Sequence, residues 1–327
     1  MEKRRLADGF EVSALGLGCM GMSEFYGPCN DATSLEVLHK AADLGVDFFD
    51  TADMYGPYHN EALLGRFLKT TAHPVKIATK FGIVREPGAY ARTLEMSPDY
   101  IRQSCEASLS RLGVERIDLY YVHRVNPEQD IEAAMGALSQ LVDEGKIDRV
   151  GLCEVRADTL RRAHCVHPVT AVQTEYSLWS RGVEAEILPA CRELGVGFVP
   201  YAPLGRGFLT GRFENRDAFG TDDFRPALPR FQNAAMQENM RIVEVLREIA
   251  QQKGCTPGQL ALAWLLAQGP DIVPIPGTKQ IGYLTENVAA ADITLSAQDL
   301  AAIGASVDAL QVSGARYTDE GMKGVNA

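Results

Sequence analysis

Short, continuously apolar runs alternate with longer amphipathic segments along almost the whole chain. After a hairpin pattern (Arg4–Leu6, a turn at Asp8-Gly9, then Phe10–Val12) the first such run is Ser13–Leu17. The others are Val46–Phe49, Val75–Thr79, Ile117–Val122, Arg149–Leu152, Thr170–Gln173, Gly197–Pro200 and Ile272–Ile275. Continuous rather than alternating polarity is the habit of strands buried on both faces. Helical patterns lie between them: Asp31–Leu44, opened by Asp; Asp99–Leu112, opened by Ser97-Pro98; Ile131–Glu144; the shorter Asp158–Cys165; and Glu184–Leu194, all but Asp158–Cys165 closed by Gly. Met236–Lys253 and Pro257–Gln268 both precede the last apolar run, and Ile281–Ala290 follows it. Repeated strand–helix units without a linker-like tract predict one α/β domain over residues 1–327. Its expected architecture is a (β/α)8 TIM barrel with an N-terminal β-hairpin and extra helices late in the chain. Phe213–Asn233 is polar and rich in Pro and Arg, a long loop of the kind that carries function.

Composition narrows the partners. A formal charge of −11 over 327 residues disfavours nucleic acid and anionic membrane surfaces. No apolar run approaches the roughly 20 residues of a membrane helix. The opening MEKRRLADGF has no signal-peptide character. Seven scattered cysteines without a C-x-x-C pair suggest neither a disulfide framework nor a zinc ribbon, and His164 with His167 lack further metal ligands. The expectation is a reduced, cytoplasmic protein with no metal.

Gly16-Leu-Gly18-Cys-Met-Gly21 matches the dinucleotide fingerprint G-x-G-x-x-G. That motif needs a helix opening at its last glycine, and Tyr26-Gly27-Pro28 breaks any helix there. Close passage of the chain past a ligand is the better reading of these glycines. More telling are the polar residues that end the apolar runs, because barrels of this kind do their chemistry at the carboxyl ends of their strands. The second run ends in Asp50, with Tyr55 five residues on; the third ends in Lys80 and the fourth in His123. Any one of these has an ordinary explanation as a loop or capping residue. Together they make an acid catalyst: Lys80 stabilises the Tyr55 phenolate, Asp50 keeps Lys80 charged, and His123 donates to a substrate carbonyl. No nucleophile–base pair accompanies them.

The stretches FFDTADMYG, KIATKFG, IDLYYVHRVNP, VQTEYSLWSR, YAPLGRGFLTG and PIPGTK followed by LTENV resemble the aldo-keto reductase family. GCMGMS and GRGFLTG point to its bacterial, plant and fungal branch. The resemblance implies an NADP(H)-dependent oxidoreductase that reduces an aldehyde or ketone to an alcohol, with Tyr55 as general acid, Lys80 and Asp50 as its tuners and His123 as carbonyl orienter. It further implies that Gly21 and Met22 border the cofactor. Cys153, Glu154 and Gln173 would hold the nicotinamide carboxamide, with Tyr201 stacked on the ring. Pro203, Leu204, Gly205, Arg206 and Gly207 would line the pyrophosphate. Gly277, Thr278 and Lys279 would meet the adenosine 2′-phosphate, and Glu286 and Asn287 the adenine.

The chain departs from the family pattern at Cys153-Glu154, where Ser-Asn is common, and at Gln280 or Tyr283, where many members carry an arginine. Two other readings compete. One is a nicotinamide-binding regulatory subunit of the same fold, as in potassium-channel β subunits. The other is a sugar-phosphate aldolase or isomerase with Lys80 as Schiff-base lysine. Substrate selectivity is expected in Glu24–Pro28, Val84–Met96, Phe213–Asn233 and the tail after Val312, where Phe25, Tyr90, Phe219 and Phe224 suggest apolar bulk.

Overall fold

The computed structural model describes residues 1–327. The strands, in chain order, are β1 (Lys3–Ala7), β2 (Phe10–Ser13), β3 (Leu17–Gly18), β4 (Phe48–Asp50), β5 (Lys76–Phe81), β6 (Ile83–Val84), β7 (Thr93–Leu94), β8 (Ile117–Val122), β9 (Ile147–Cys153), β10 (Val169–Glu175) and β11 (Gly197–Tyr201). The helices are α1 (Asp31–Asp43), α2 (His59–Leu68), α3 (Pro98–Leu112), α4 (Ile131–Asp143), α5 (Ala157–Val166), α6 (Ile187–Leu194), α7 (Asn233–Lys253), α8 (Pro257–Leu266), α9 (Ile281–Ala289) and α10 (Ala297–Asp308). Seven strands pair in parallel in the order β11-β10-β9-β8-β5-β4-β3, a nearly closed (β/α)8 barrel. No helix is long and apolar enough to cross a membrane.

The eighth expected strand, Ile272–Ile275, does not form a regular strand, yet it closes the ring. It bridges β11 at Phe198↔Ile272 and β3 at Gly18↔Gly277. Val273 and Ile275 donate N–H bonds to the carbonyls of Phe198 and Pro200, while the carbonyls of Pro274 and Pro276 accept from Gly16 and Gly18. Proline has no N–H, so this edge accepts from β3 and cannot donate back. The ladder is half made for that reason. Gly16 and Gly18 belong to the same seam: a Cβ on Gly16 would lie 2.8 Å from the Phe48 ring, and one on Gly18 2.9 Å from the Ile275 carbonyl. Close passage is thus their role, against the barrel's own chain in the first instance.

Inside the barrel, Phe48, Ala78, Leu119, Tyr121, Cys153, Ala171, Val199 and Val273 pack with Leu6, Phe10 and Val12 of the β1–β2 hairpin, which plugs one end. A larger apolar layer lies between strands and outer helices. The first helix starts at Asp31 as expected, but its cap is Asn30, whose side chain accepts from the Thr33 N–H. Three elements had no forecast in the sequence: α2, α10 and the small β6–β7 hairpin.

Candidate active site

β4 delivers Asp50 and β5 delivers Lys80, both side chains wholly or almost wholly buried. Lys80 Nζ donates to Asp50 Oδ1 at 2.5 Å, to the Thr51 carbonyl at 2.7 Å and to the Tyr55 hydroxyl at 3.2 Å. Asp50 Oδ2 accepts from Gln173 Nε2 at 2.7 Å. His123, just beyond β8, faces Tyr55 edge-on with ring centroids 5.8 Å apart. The turn carrying Tyr55 is pinned from below. Thr51 and Asp53 donate backbone N–H bonds to Ala78 and Lys80, and Thr51 Oγ1 donates to Asn60 Oδ1 on α2 at 2.6 Å. Asn60 in turn donates to the Cys19 carbonyl.

Electrostatics sets the protonation states. Burial pushes the Tyr55 phenol above its ordinary value; Lys80 pulls it down, but by less. Burial works against charge on Lys80, yet Asp50 beside it holds the ammonium above its ordinary value. Burial, reinforced by Lys80, Arg124 and Arg92, holds His123 well below the usual imidazole range, so near neutrality the ring is uncharged. The site therefore presents a protonated phenol backed by an ammonium, next to a neutral imidazole with one N–H to offer.

These groups open onto a cavity of about 610 Å³ whose walls include Asp50, Tyr55, His123, Gln173, Tyr201, Gly21, Pro203, Leu204, Arg206, Gly207, Gly277, Thr278, Lys279, Glu286 and Asn287. Lys80 stands behind Tyr55. Met22, Cys153, Glu154 and Gly205 stay off the walls. Cys153 points into the barrel core, and Gly205 lies against the Trp179 indole, where a Cβ would come within 2.7 Å. Glu154 is wholly buried; its carboxylate accepts from the Tyr201 hydroxyl at 2.7 Å, the Glu175 N–H at 3.0 Å and Arg316. Lys279 is a clasp, donating to the carbonyls of Tyr26 (2.7 Å), Gly27 (3.3 Å) and Pro28 (2.9 Å). With Phe224 N–H bonded to the Phe25 carbonyl, this draws residues 25–28 against the 213–233 loop as a strap over the mouth.

Sequence reasoning passed over Arg92, Arg124, Arg212 and Tyr317, all on the cavity walls. Arg212 lies over the Tyr283 ring at 3.6 Å and pairs with Glu286 at 2.5 Å. It supplies, from a distant loop, a cation on the wall formed by Gln280 and Tyr283. Only the position of Arg124 next to His123 was a signal in the sequence. No group of three or more His, Cys, Asp or Glu side chains is placed to hold a metal.

The tail is locked by buried charge. Glu175 meets Arg206 at 2.8 Å, Arg230 at 3.4 Å and Arg316 at 3.5 Å. Burial alone raises a carboxyl, but Arg206, Arg316 and Arg230 together hold Glu175 below its ordinary value. A carboxyl depressed in the folded state stabilises fully above its unfolded pKa of about 4.3 and loses that contribution as pH falls through the folded value. Glu175→Gln is therefore expected to lower Tm at neutral pH, with the gap to the unaltered protein closing in acid. A Tm difference independent of pH would count against this.

Residues 14–308 match the model of the aldo/keto reductase family. The chain belongs to that family. Among similar proteins, a probable aldo-keto reductase from Glycine max is 48% identical over 313 residues, covering 94% of this chain and 89% of that one. Among solved structures, a glycerol dehydrogenase from Gluconobacter oxydans superposes with a TM-score of 0.87 at 27% identity, covering 96% of this chain and 97% of that one. An aldo-keto reductase from Bacillus halodurans, solved in a holo form, gives 0.78 at 25% identity over 96% and 98%. As a member of the aldo-keto reductase family the chain is an oxidoreductase of the barrel type.

Proposed function

We propose that this aldo-keto reductase reduces an aldehyde or ketone to an alcohol with NADPH, Tyr55 acting as general acid. The observation that carries the reading is the Tyr55 hydroxyl on the cavity wall with the Asp50-paired Lys80 ammonium 3.2 Å behind it. A bound nicotinamide supplies the hydride. Tyr55 delivers the proton to the substrate oxygen, and Lys80 steadies the phenolate left behind. His123, neutral, donates to the same oxygen and fixes the carbonyl. Lys80 is wholly buried with Asp50, the Thr51 carbonyl and Tyr55 around its nitrogen, which favours this role over that of a Schiff-base lysine.

The walls suit a phosphorylated dinucleotide in their donor chemistry. Gln173 and Tyr201 lie at the catalytic end, Arg206 and Gly207 along the middle, and Lys279, Thr278, Arg212 and Asn287 beyond. Glu154 does not share in this, because it is wholly buried off the cavity wall, with its Oε1 taken by Arg316 and Tyr201. Arg212 would take the 2′-phosphate, and Lys279 would join it by giving up one of its strap carbonyls. Loss of NADPH absorbance with a panel of aldehydes and ketones tests the function; no turnover with any of them overturns it.

The phosphate site makes its own forecast. Arg212→Leu should weaken NADPH by about tenfold, the worth of a charge-assisted hydrogen bond, and NADH far less. Lys279→Met should weaken both cofactors, since it also releases the strap. Fluorescence titration with Trp179 as reporter reads both. Equal dissociation constants for NADPH and NADH in the unaltered protein would remove the site.

A further inference from the structure

Buried arginines ordinarily come with a carboxylate. At the barrel mouth Arg206 and Arg230 have Glu175, Arg225 has Asp223 and Arg85 has Glu24. Arg124 is the exception. It is only 5% exposed, its Nη1 donates to the His123 carbonyl at 2.9 Å, and its Nε is buried without a partner. No carboxylate lies within ion-pair distance of its nitrogens and Nη2 makes no hydrogen bond, although the buried Glu154 carboxylate and the Tyr201 and Tyr317 phenols help to keep the guanidinium charged. Arg92, just before β7, repeats the arrangement. Its guanidinium stacks on the Tyr90 ring at 4.7 Å and its Nε is also buried and unpartnered. Glu320 nearby takes the Arg92 backbone N–H and pairs with Lys323, leaving the side chain free.

Both arginines line the cavity with Tyr55 and His123. They stand beyond the carboxyl ends of β5 and β8, whereas Arg206, Arg212 and Lys279 follow β11 and the eighth segment, on the other side of the mouth. The cofactor reading uses the second set and leaves the first unemployed. The local field is positive: burial pushes the Tyr317 phenol up, yet Arg206, Arg124 and Arg316 hold it below its ordinary value.

We propose that Arg124 and Arg92 form an anion subsite beside His123, so that the preferred substrate is an aldehyde or ketone that also carries a carboxylate. Two planar guanidinium groups with unused N–H donors match a carboxylate's paired oxygens. A phosphate monoester would use the same donors. The proposal rests on the carbonyl-reductase reading, and the test separates the two.

Three probes share one ring: 4-formylbenzoate, its methyl ester and 4-formylphenyl phosphate, each reduced with NADPH. An anion should exceed the ester in kcat/KM by about tenfold or more, as charge-assisted bonds imply, and the better anion names the ligand. Arg124→Met and Arg92→Met should each collapse that ratio toward one. Because Arg124 is buried, a reading on the unaltered enzyme stands beside the variants: benzoate should inhibit ester reduction at least about tenfold more tightly than benzamide. Ester turnover with no anion preference, no benzoate preference, or an acid-to-ester ratio unmoved in both variants overturns the subsite alone. Failure to reduce any of the three overturns the reductase reading instead.

Discussion

Tyr55→Phe should lower kcat by at least about 10²-fold while NADPH affinity stays nearly constant. The hydroxyl is the one phenol on the wall that Lys80 touches, and its removal takes away a proton donor without altering the ring's packing against His123. Burial keeps this phenol above its ordinary value, so at neutral pH it is protonated and ready to donate. Its proton becomes transferable only as charge builds on the substrate oxygen, with Lys80 there to receive the phenolate. Steady-state rates and a fluorescence titration on the same preparation measure both quantities. A variant keeping more than about a tenth of the turnover would place the acid elsewhere.

Lys80→Met should abolish most reductase activity and still bind NADPH. Two effects are separable. Lys80 pulls the Tyr55 phenol down against burial, so its loss moves the phenol's limb of the pH–rate profile to higher pH. Each unit of that shift is about 1.4 kcal/mol of lost phenolate stabilisation. The second effect is structural: Asp50 loses its ion pair and keeps only Gln173, and breaking a buried pair costs about 3–5 kcal/mol. A fall in Tm reports that cost. An inactive variant that melts far lower and no longer binds cofactor would make Lys80 a structural residue. A variant with an unshifted profile and near-normal turnover would remove it from the mechanism.

The barrel was legible because buried parallel strands leave continuous apolar runs, and Ile117–Val122 coincides with β8 residue for residue. Asp50, Lys80 and His123 were legible because strand ends in such a barrel converge, and Tyr55 because a short turn follows β4. What stayed hidden depends on contacts distant in sequence. Arg212 reaches Tyr283 and Glu286 from a loop some seventy positions away. Glu154 turns from the cavity because Arg316, far along the tail, claims it. α2 escaped notice because its pattern is interrupted by Asn60 and Glu61, polar residues buried to hold Thr51 and Thr79 rather than solvated. The irregular eighth segment was read as a strand because its apolar run is genuine; only the missing N–H groups of Pro274 and Pro276 deny it a full ladder.

That half-made ladder has a kinetic meaning. The seam joins residues near 16–18 to residues near 274–277, the most widely separated pairing in the ring. Contacts of such separation carry the greatest loop-closure entropy and form late. Here the late joint is also thinly bonded, because Pro274 and Pro276 have no N–H to give back. Gly18 and Gly277 lie on that joint and on the cavity wall, across from the β5–β8 side that carries Lys80 and His123. A disturbance of this joint would therefore reach the cavity through Gly18 and Gly277, on the side away from the proton-donating residues.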